Sequence, residues 1–210
     1  MKKKKTTSQS FISKFAKIGI LLAVFAAVFM LGTTQAQAAS TKTKAIKAYN
    51  SLLSKKTLTW SKNLTVKTSK CKFALIYVDN NSVPELFVDA SGAGTNHVSG
   101  FQRLYTYQNG KVKEVMTVRD GFGYYRKKGV ITSYTALHGE YLSHFKLASG
   151  KAKLQLRKET YYTTEYYNGS EKKISKSTYQ KTLKKLIGSS KPTKIHVKAN
   201  TSANRKKYLK

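Results

Sequence analysis

Four turn signals recur at nearly equal distances along the second half of the chain. Their glycines are 19, 21 and 19 residues apart, and each signal joins two stretches of β-prone sequence. The signals are Asn109-Gly110, Lys128-Gly129, Ser149-Gly150 and Asn168-Gly169. Pairs of this kind favour the short turns of β-hairpins. The spacing therefore predicts an antiparallel meander with arms of roughly ten residues.

Helical patterns flank this β region on both sides. Apolar residues recur at helical spacing within residues 41–56, and a second helical pattern ends at Gly188. Between the first helix and the meander, residues 72–78 (KFALIYV) and 85–89 (ELFVD) are predicted to be paired strands. The sequence thus predicts an α+β fold, an antiparallel meander sheet flanked by an N-terminal and a C-terminal helix. Residues 193–197 are predicted to add a short edge strand.

The first 38 residues have the pattern of a secretory signal peptide. A basic opening, Lys2 to Lys5, precedes 14 uncharged residues from Ile18 to Leu31, which are too few to span a bilayer comfortably. Ala36-Gln37-Ala38 then supplies the small side chains of a cleavage site, so we expect cleavage after Ala38 and no integral membrane association afterwards. The Lys-rich leader resembles those of Gram-positive bacteria, which implies a secreted protein. An uncleaved membrane anchor is the alternative.

The exported part carries a large excess of positive charge. Residues 39–210 hold 34 of the 40 Lys and Arg residues and all nine Asp and Glu residues, a formal charge of +25. Such an excess implies an anionic partner or anionic surroundings. We expect one α+β domain over residues 39–197 and a basic, flexible tail over residues 198–210. Cys71 is the only cysteine, so no intramolecular disulfide can form.

Basic and aromatic side chains occur together on the predicted hairpins. The residues predicted to bind a polyanion are Arg126, Lys127, Lys128, Lys151, Lys153, Arg157, Tyr124 and Tyr162. Alternation along a strand would direct one member of each Tyr-Tyr pair outward. Outside a Gram-positive cell the nearest phosphate-rich polymer is teichoic acid, followed by nucleic acid and acidic glycans. The alternative is that the lysines only keep an exported protein soluble at a charged wall.

Residues 151–157 (KAKLQLR) illustrate the alternation that these predictions assume. In a regular strand, successive side chains point to opposite faces of the sheet. The apolar face would hold Ala152, Leu154 and Leu156. The basic face would hold Lys151, Lys153 and Arg157. The pattern predicts a strand with one packed face and one basic face.

Two strings resemble a pattern of secreted Gram-positive proteins that are mostly uncharacterised. Residues 74–86 (ALIYVDNNSVPEL) resemble an A-L-x-D-I-D-x-D-G-x-P-E-L motif in degenerate form, and residues 105–113 (YTYQNGKVK) resemble the Y-T-Y-x-N-G-K-V-K hairpin that often follows it. In those proteins the acidic turn looks able to hold Ca²⁺. The resemblance therefore implies Asp79, Asn81 and Glu85 as candidate calcium ligands. A structural turn held by the same side chains is the alternative.

The chain lacks the short motifs that carry an enzymatic mechanism, such as G-x-S-x-G, H-E-x-x-H and C-x-x-C. A base and a carboxylate could still come from His138, Glu140 and His144. Carboxylate pairs of the glycosidase type could come from Glu159 with Glu165 or from Asp79 with Glu85. We expect a non-catalytic protein held at the cell wall by charge, and the alternatives are a secreted hydrolase of wall polymer and a cationic antagonist of other cells. No cofactor is expected apart from the candidate Ca²⁺.

Overall fold

The computed structural model describes residues 37, 39–61, 64–91, 93, 101–136 and 138–210. The predicted signal peptide lies outside these residues, apart from residue 37. The helices are α1 (39–53), α2 (Lys176–Ile187) and α3 (Ser202–Tyr208). The strands are β1 (Thr57–Ser61), β2 (Leu64–Lys67), β3 (Lys72–Ile76), β4 (Glu85–Asp89), β5 (Gln102–Gln108), β6 (Lys111–Val118), β7 (Gly121–Tyr125), β8 (Val130–Ala136), β9 (Glu140–Ala148), β10 (Lys151–Thr160), β11 (Thr164–Asn168) and β12 (Lys198–Ala199).

The predicted α+β class and the antiparallel pairing are confirmed, but the strands form more than one sheet. The first sheet has the order β12-β3-β4-β5-β6, and the second sheet has the order β11-β10-β9-β8-β7. Strands β1 and β2 form a separate hairpin, which the sequence did not indicate. The meander breaks at residues 119–120, because β6 and β7 follow each other along the chain without pairing.

Two apolar clusters hold these layers together. One lies between the two sheets and includes Ile76, Phe87, Leu104 and Ile131. The other lies on the opposite face of the first sheet, where the buried face of α1 and the β1–β2 hairpin pack against it; its buried members include Ala45, Tyr49, Leu53, Leu58, Trp60, Phe73, Leu86 and Val88. Helix α2 covers the outer face of the second sheet through Tyr179. Residues Lys42–Lys210 cluster into one compact unit.

The buried Arg103 fastens the β1–β2 hairpin to the first sheet. Its guanidinium donates hydrogen bonds to the carbonyls of Thr59 (3.0 Å) and Trp60 (2.7 Å), and it lies 4.3 Å from the centre of the Trp60 ring. Glu114 on β6 pairs with the same guanidinium at 3.2 Å. A buried charge needs such a full set of partners, because an unpaired one would be strongly destabilising.

The C-terminal residues differ from the predicted flexible tail. Lys198 in β12 pairs with Phe73 of β3, and the buried Asn200 amide donates to the carbonyls of Leu53 (2.8 Å) and Thr68 (2.9 Å). Helix α3 follows, and Leu209 after it is buried. The composition of residues 198–210 suggested that few of them would be buried. The Asn200 amide and the Leu209 side chain are nevertheless buried, and Asn200 bonds to residues far away in the sequence. The predicted edge strand at 193–197 forms instead at 198–199.

A β-bulge in β10 changes the predicted faces of that strand. Leu154 is opposite Phe145 on β9, whereas Leu156 is opposite His144, so the register shifts by one residue between them. Beyond the bulge, Leu156 lies on the face predicted to be basic and Arg157 lies on the face predicted to be apolar. A bulge inserts one extra residue and moves all later side chains to the other face. Among the described residues, no helix is long and apolar enough to cross a membrane.

Candidate polyanion-binding surface

Basic side chains gather at one end of the second sheet. This basic end consists of the β7–β8 turn, the end of β9 and the start of β10, and its cations are Arg126, Lys127, Lys128, Lys146, Lys151 and Lys153. The stretches that form it, residues 126–130 and 146–153, contain no Asp or Glu. The opposite end carries four carboxylates and three cations, namely Asp120, Glu140, Glu159 and Glu165 with Arg119, Arg157 and Lys158. The second sheet is therefore polarised along its strands.

The cations of the basic end are packed close together. Lys146 and Lys153 are directly opposite each other in the β9–β10 register, and the Lys146 ammonium donates to the Lys128 carbonyl at 2.6 Å. Like charges on directly opposite residues are destabilising in a sheet. The Lys146 ammonium thus supports the β7–β8 turn through its hydrogen bond, while the Lys146–Lys153 pair places two positive charges side by side at this end of the sheet.

The β7–β8 turn that carries three of these cations is fixed to the first sheet. The Lys127 N–H donates to the Tyr77 carbonyl at 3.0 Å, and the Gly129 N–H donates to the Val78 carbonyl at 2.7 Å. Lys127 and Gly129 both have positive φ angles, of 58° and 65°. These bonds hold the three cations at a defined place where the ends of the two sheets meet.

A basic cleft of about 480 Å³ adjoins this turn. It lies between β3 and the segment 193–198, and its cationic lining residues are Arg126, Lys194 and Lys198, with His196 beside them. Tyr124 and Tyr208 supply aromatic walls, and no Asp or Glu occurs among the described residues that line it. The cleft therefore combines uncompensated cations with ring faces.

Two anchors hold the segment 193–198 across the edges of both sheets. At its start, the Thr193 N–H donates to the carbonyl of Tyr124 on β7 at 2.8 Å. At its end, Lys198 pairs with β3. The Lys198 ammonium lies 5.1 Å from the centre of the Tyr208 ring, and the Lys207 ammonium lies 5.3 Å from it. One exposed tyrosine thus holds two ammonium groups beside the cleft by cation–π attraction.

Five of the eight predicted polyanion-binding residues meet at the basic end, and three do not. Arg157 is paired with Glu159 and Glu171, at 2.6 Å in each case, so its charge is largely neutralised. Tyr162 lies beyond the other end of β10. Because a strand of ten residues is about 30 Å long, Tyr162 is about that far from the basic end.

Tyr124 is the third exception, because it is only 5% exposed and forms a wall of the cleft rather than a free ring. Its neighbour Tyr125 is also buried, so the prediction that one member of each Tyr-Tyr pair points outward does not hold for this pair. The first sheet packs on one face of the second sheet and α2 packs on the other, which leaves no free face at this position.

Sequence reasoning missed four residues of this surface: Lys146, Lys194, Lys198 and Tyr208. Lys146 lies on β9, and only the register with β10 brings it beside Lys153. The other three lie in the segments predicted as an edge strand and a flexible tail. A local signal for α3 was present, because Thr201 caps the helix by accepting from the Asn204 N–H.

The acidic turn before β4 uses its side chains on its own backbone. Asp79 accepts from the Asn81 N–H at 3.0 Å, and Asn81 accepts from the Val83 N–H at 2.7 Å. Glu85 is 1% exposed and accepts from the Val78 N–H at 3.0 Å. Within the described part of the chain, no group of three or more His, Cys, Asp or Glu residues could hold a metal ion. This geometry is that of a structural turn, and calcium binding there stays a hypothesis.

The residues considered for catalysis are engaged in other contacts or lie apart. His144 is buried under α2, where its Nδ1 lies 3.4 Å from the Tyr179 hydroxyl, and burial lowers its pKa to about 4. Glu159 pairs with Arg157. Glu165 is opposite Glu159, and hydrogen bonds from Lys173 and Tyr167 lower the pKa of its carboxyl group. His138 and Glu140 line a separate cleft.

No protein-family model matches this chain, and no curated protein or solved structure matches it either.

Proposed function

We propose that this protein is a secreted, non-catalytic module that binds anionic polymers of the cell envelope, such as teichoic acid. The polymer would lie on the basic end of the second sheet and enter the basic cleft beside it. One observation carries the proposal: six cations gather at one end of a sheet whose carboxylates lie at the other end. Lysines that served only solubility would not need such segregation.

The chemistry of the surface fits a chain of phosphates. Binding a polyphosphate releases its condensed counterions, so each lysine that meets a phosphate adds affinity and salt dependence. Lysine is a point charge without the two-pronged geometry of arginine, and the basic end holds five lysines and one arginine. We therefore expect recognition of charge density rather than of one defined chemical group. Charge would also retain the protein at the wall.

The proposal can be tested with purified cell walls that carry or lack teichoic acid. The exported form, residues 39–210, should sediment with the first kind of wall at low salt and stay in solution with the second. Substituting Lys128, Lys146 and Lys153 together by Gln should reduce the bound fraction at least tenfold, because three adjacent phosphate contacts are lost. Circular dichroism would check that the variant is folded.

A matched variant separates a local site from general charge. Lys44, Lys47 and Lys55 are exposed on or just after α1, which packs on the far side of the first sheet. Substituting these three by Gln removes the same net charge and should change binding less than twofold. Equal losses in both variants would contradict a localised surface. Release of soluble wall fragments that persists at high salt would instead support the alternative of a secreted hydrolase.

A further inference from the structure

A second cleft lies at the opposite end of the second sheet. It measures about 520 Å³ and is lined by His138, Gly139, Glu140, Thr160, Tyr161 and Tyr162. We call it the tyrosine cleft. Tyr162 is fully exposed and Tyr161 is 49% exposed, both at the tip of the β10–β11 hairpin. Two adjacent exposed aromatic rings beside a concave surface are typical of a binding site rather than of a plain turn.

The ring of Tyr161 is held in a defined position. It packs edge-on against Tyr141, with ring centres 5.5 Å apart and an interplanar angle of 88°. It also lies directly over Gly139, where a Cβ atom would come within 2.6 Å of the ring. The Tyr161 N–H donates to the Thr163 carbonyl at 3.1 Å and closes the turn. The glycine therefore permits the ring to lie against the backbone between His138 and Glu140.

Charge argues against an ionic ligand in this cleft. Glu140 is the one carboxylate among its described lining residues, and no Lys or Arg lines it, so an anionic polymer would meet repulsion there. A cation would find Glu140 as the one carboxylate among the described lining residues, at an end of the sheet where Arg119, Arg157 and Lys158 would repel it. An uncharged ligand meets neither penalty. A ligand that fits this lining has apolar faces that stack on the tyrosine rings and hydroxyl groups that form hydrogen bonds with Glu140, His138 and Thr160.

We propose that the tyrosine cleft binds a neutral oligosaccharide. A sugar ring has an apolar C–H face that can stack on Tyr161 or Tyr162, and its hydroxyls can donate to the Glu140 carboxylate and exchange hydrogen bonds with His138 and Thr160. The volume of the cleft suits one or two sugar rings. This site is separate from the basic end, and it would give the protein a second type of ligand.

The test uses four neutral hexaoses, namely those of the chitin, cellulose, amylose and laminarin series, and isothermal titration of residues 39–210 in 1 M NaCl. High salt suppresses polyanion binding, so the result does not depend on the function proposed above. At least one hexaose should bind with an affinity that salt does not change. Tyr162→Ala and Tyr161→Ala should each weaken that binding at least tenfold, whereas Tyr162→Phe should retain it because the ring face remains.

A further variant tests the positioning of the ring without deleting it. Gly139→Ala places a methyl group against Tyr161, so it should weaken binding at least fivefold while circular dichroism stays unchanged. Failure of all four hexaoses to bind would overturn the proposal, as would full binding by Tyr161→Ala and Tyr162→Ala. If light scattering showed that wild-type protein self-associates and that these variants do not, the cleft would be a protein interface and the proposal would be wrong.

Discussion

Glu85 places an ionisable group inside the apolar core at the start of β4. Burial raises the pKa of its carboxyl group to about 7, from 4.5 for an exposed glutamate. Between these two values the folded protein binds more protons than the unfolded chain does. Stability from this residue therefore rises as the pH falls from 7 to 4.5, and above pH 7 the fold must hold a buried charge. A hydrogen bond from the Val78 N–H offsets part of this penalty.

Glu85→Gln should remove this pH dependence. Glutamine keeps an acceptor for the Val78 N–H but carries no charge, so the variant should be more stable than the wild type at pH 8, by about 1–3 kcal/mol. Below pH 4.5 the two proteins should differ little. Urea unfolding at both pH values measures the change. A difference that is the same at both values would contradict a buried, proton-binding Glu85.

The same pair of proteins tests the calcium hypothesis. If Asp79, Asn81 and Glu85 bind Ca²⁺, millimolar CaCl₂ should raise the unfolding temperature of the wild type and not that of Glu85→Gln. Because the Asp79 and Asn81 side chains already accept bonds from the turn's own N–H groups, we expect no shift in either protein. A shift in the wild type alone would establish the metal site.

At the scale of elements, features with a local cause could be predicted from the sequence. Asn109 and Gly110 adopt φ angles of 51° and 76° in the β5–β6 turn, and Gly188 ends α2 with a φ of 62°. These conformations follow from the residues themselves, since Asn and Gly tolerate positive φ. The turn signal at Asn168-Gly169 proved less informative, because it follows β11 and leads to a single bridge from Tyr167 to Lys173 rather than to another strand.

Features with a distant cause could not be predicted. The bulge before Leu156 depends on the register with β9, and the separation of the two sheets depends on what packs between them. The residues of the basic surface likewise include some that a local pattern predicts and some that only distant pairing brings there. Arg126 was predicted because it lies on a local turn, whereas Lys146 and Lys198 join the surface only through pairing with β10 and β3.

Asn200 provides a test of how the C-terminal elements are held. Its amide group satisfies the carbonyls of Leu53, at the end of α1, and of Thr68. Asn200→Ala would remove this donor from the Leu53 carbonyl and one of two donors from the Thr68 carbonyl, which also accepts from the Cys71 N–H at 3.0 Å. A buried acceptor that loses its donor costs about 1–3 kcal/mol. We expect the free energy of unfolding, measured in urea, to fall by about 1–3 kcal/mol. Lys206→Ala, on the exposed face of α3, is the control and should change it by less than about 0.5 kcal/mol. Equal stability of both variants would mean that the Asn200 hydrogen bonds do not hold the C-terminal elements in place.

At the scale of the whole molecule, the two sheets meet where the basic surface lies. The β7–β8 turn bonds to the end of β3, and the segment 193–198 runs from β7 to β3. Cations from both sheets and from the C-terminal segment therefore converge at one place. The tyrosine cleft lies at the far end of β10, about 30 Å away for a strand of ten residues.

The salt dependence of wall binding distinguishes binding by the basic end from attraction by the total charge of the protein. For a flexible polyanion, each phosphate neutralised by a lysine contributes about −0.7 to the slope of log K against log salt concentration. Replacing Lys128, Lys146 and Lys153 by Gln should therefore make the slope less steep by about 2. The control at Lys44, Lys47 and Lys55 should leave the slope within about 0.5 of the wild type, because those lysines would touch no phosphate. Sedimentation with teichoic-acid-bearing walls from about 50 to about 200 mM NaCl gives both values. If the two triple variants lowered the slope equally, binding would come from the total charge of the protein, and the polarity of the second sheet would have no role in it.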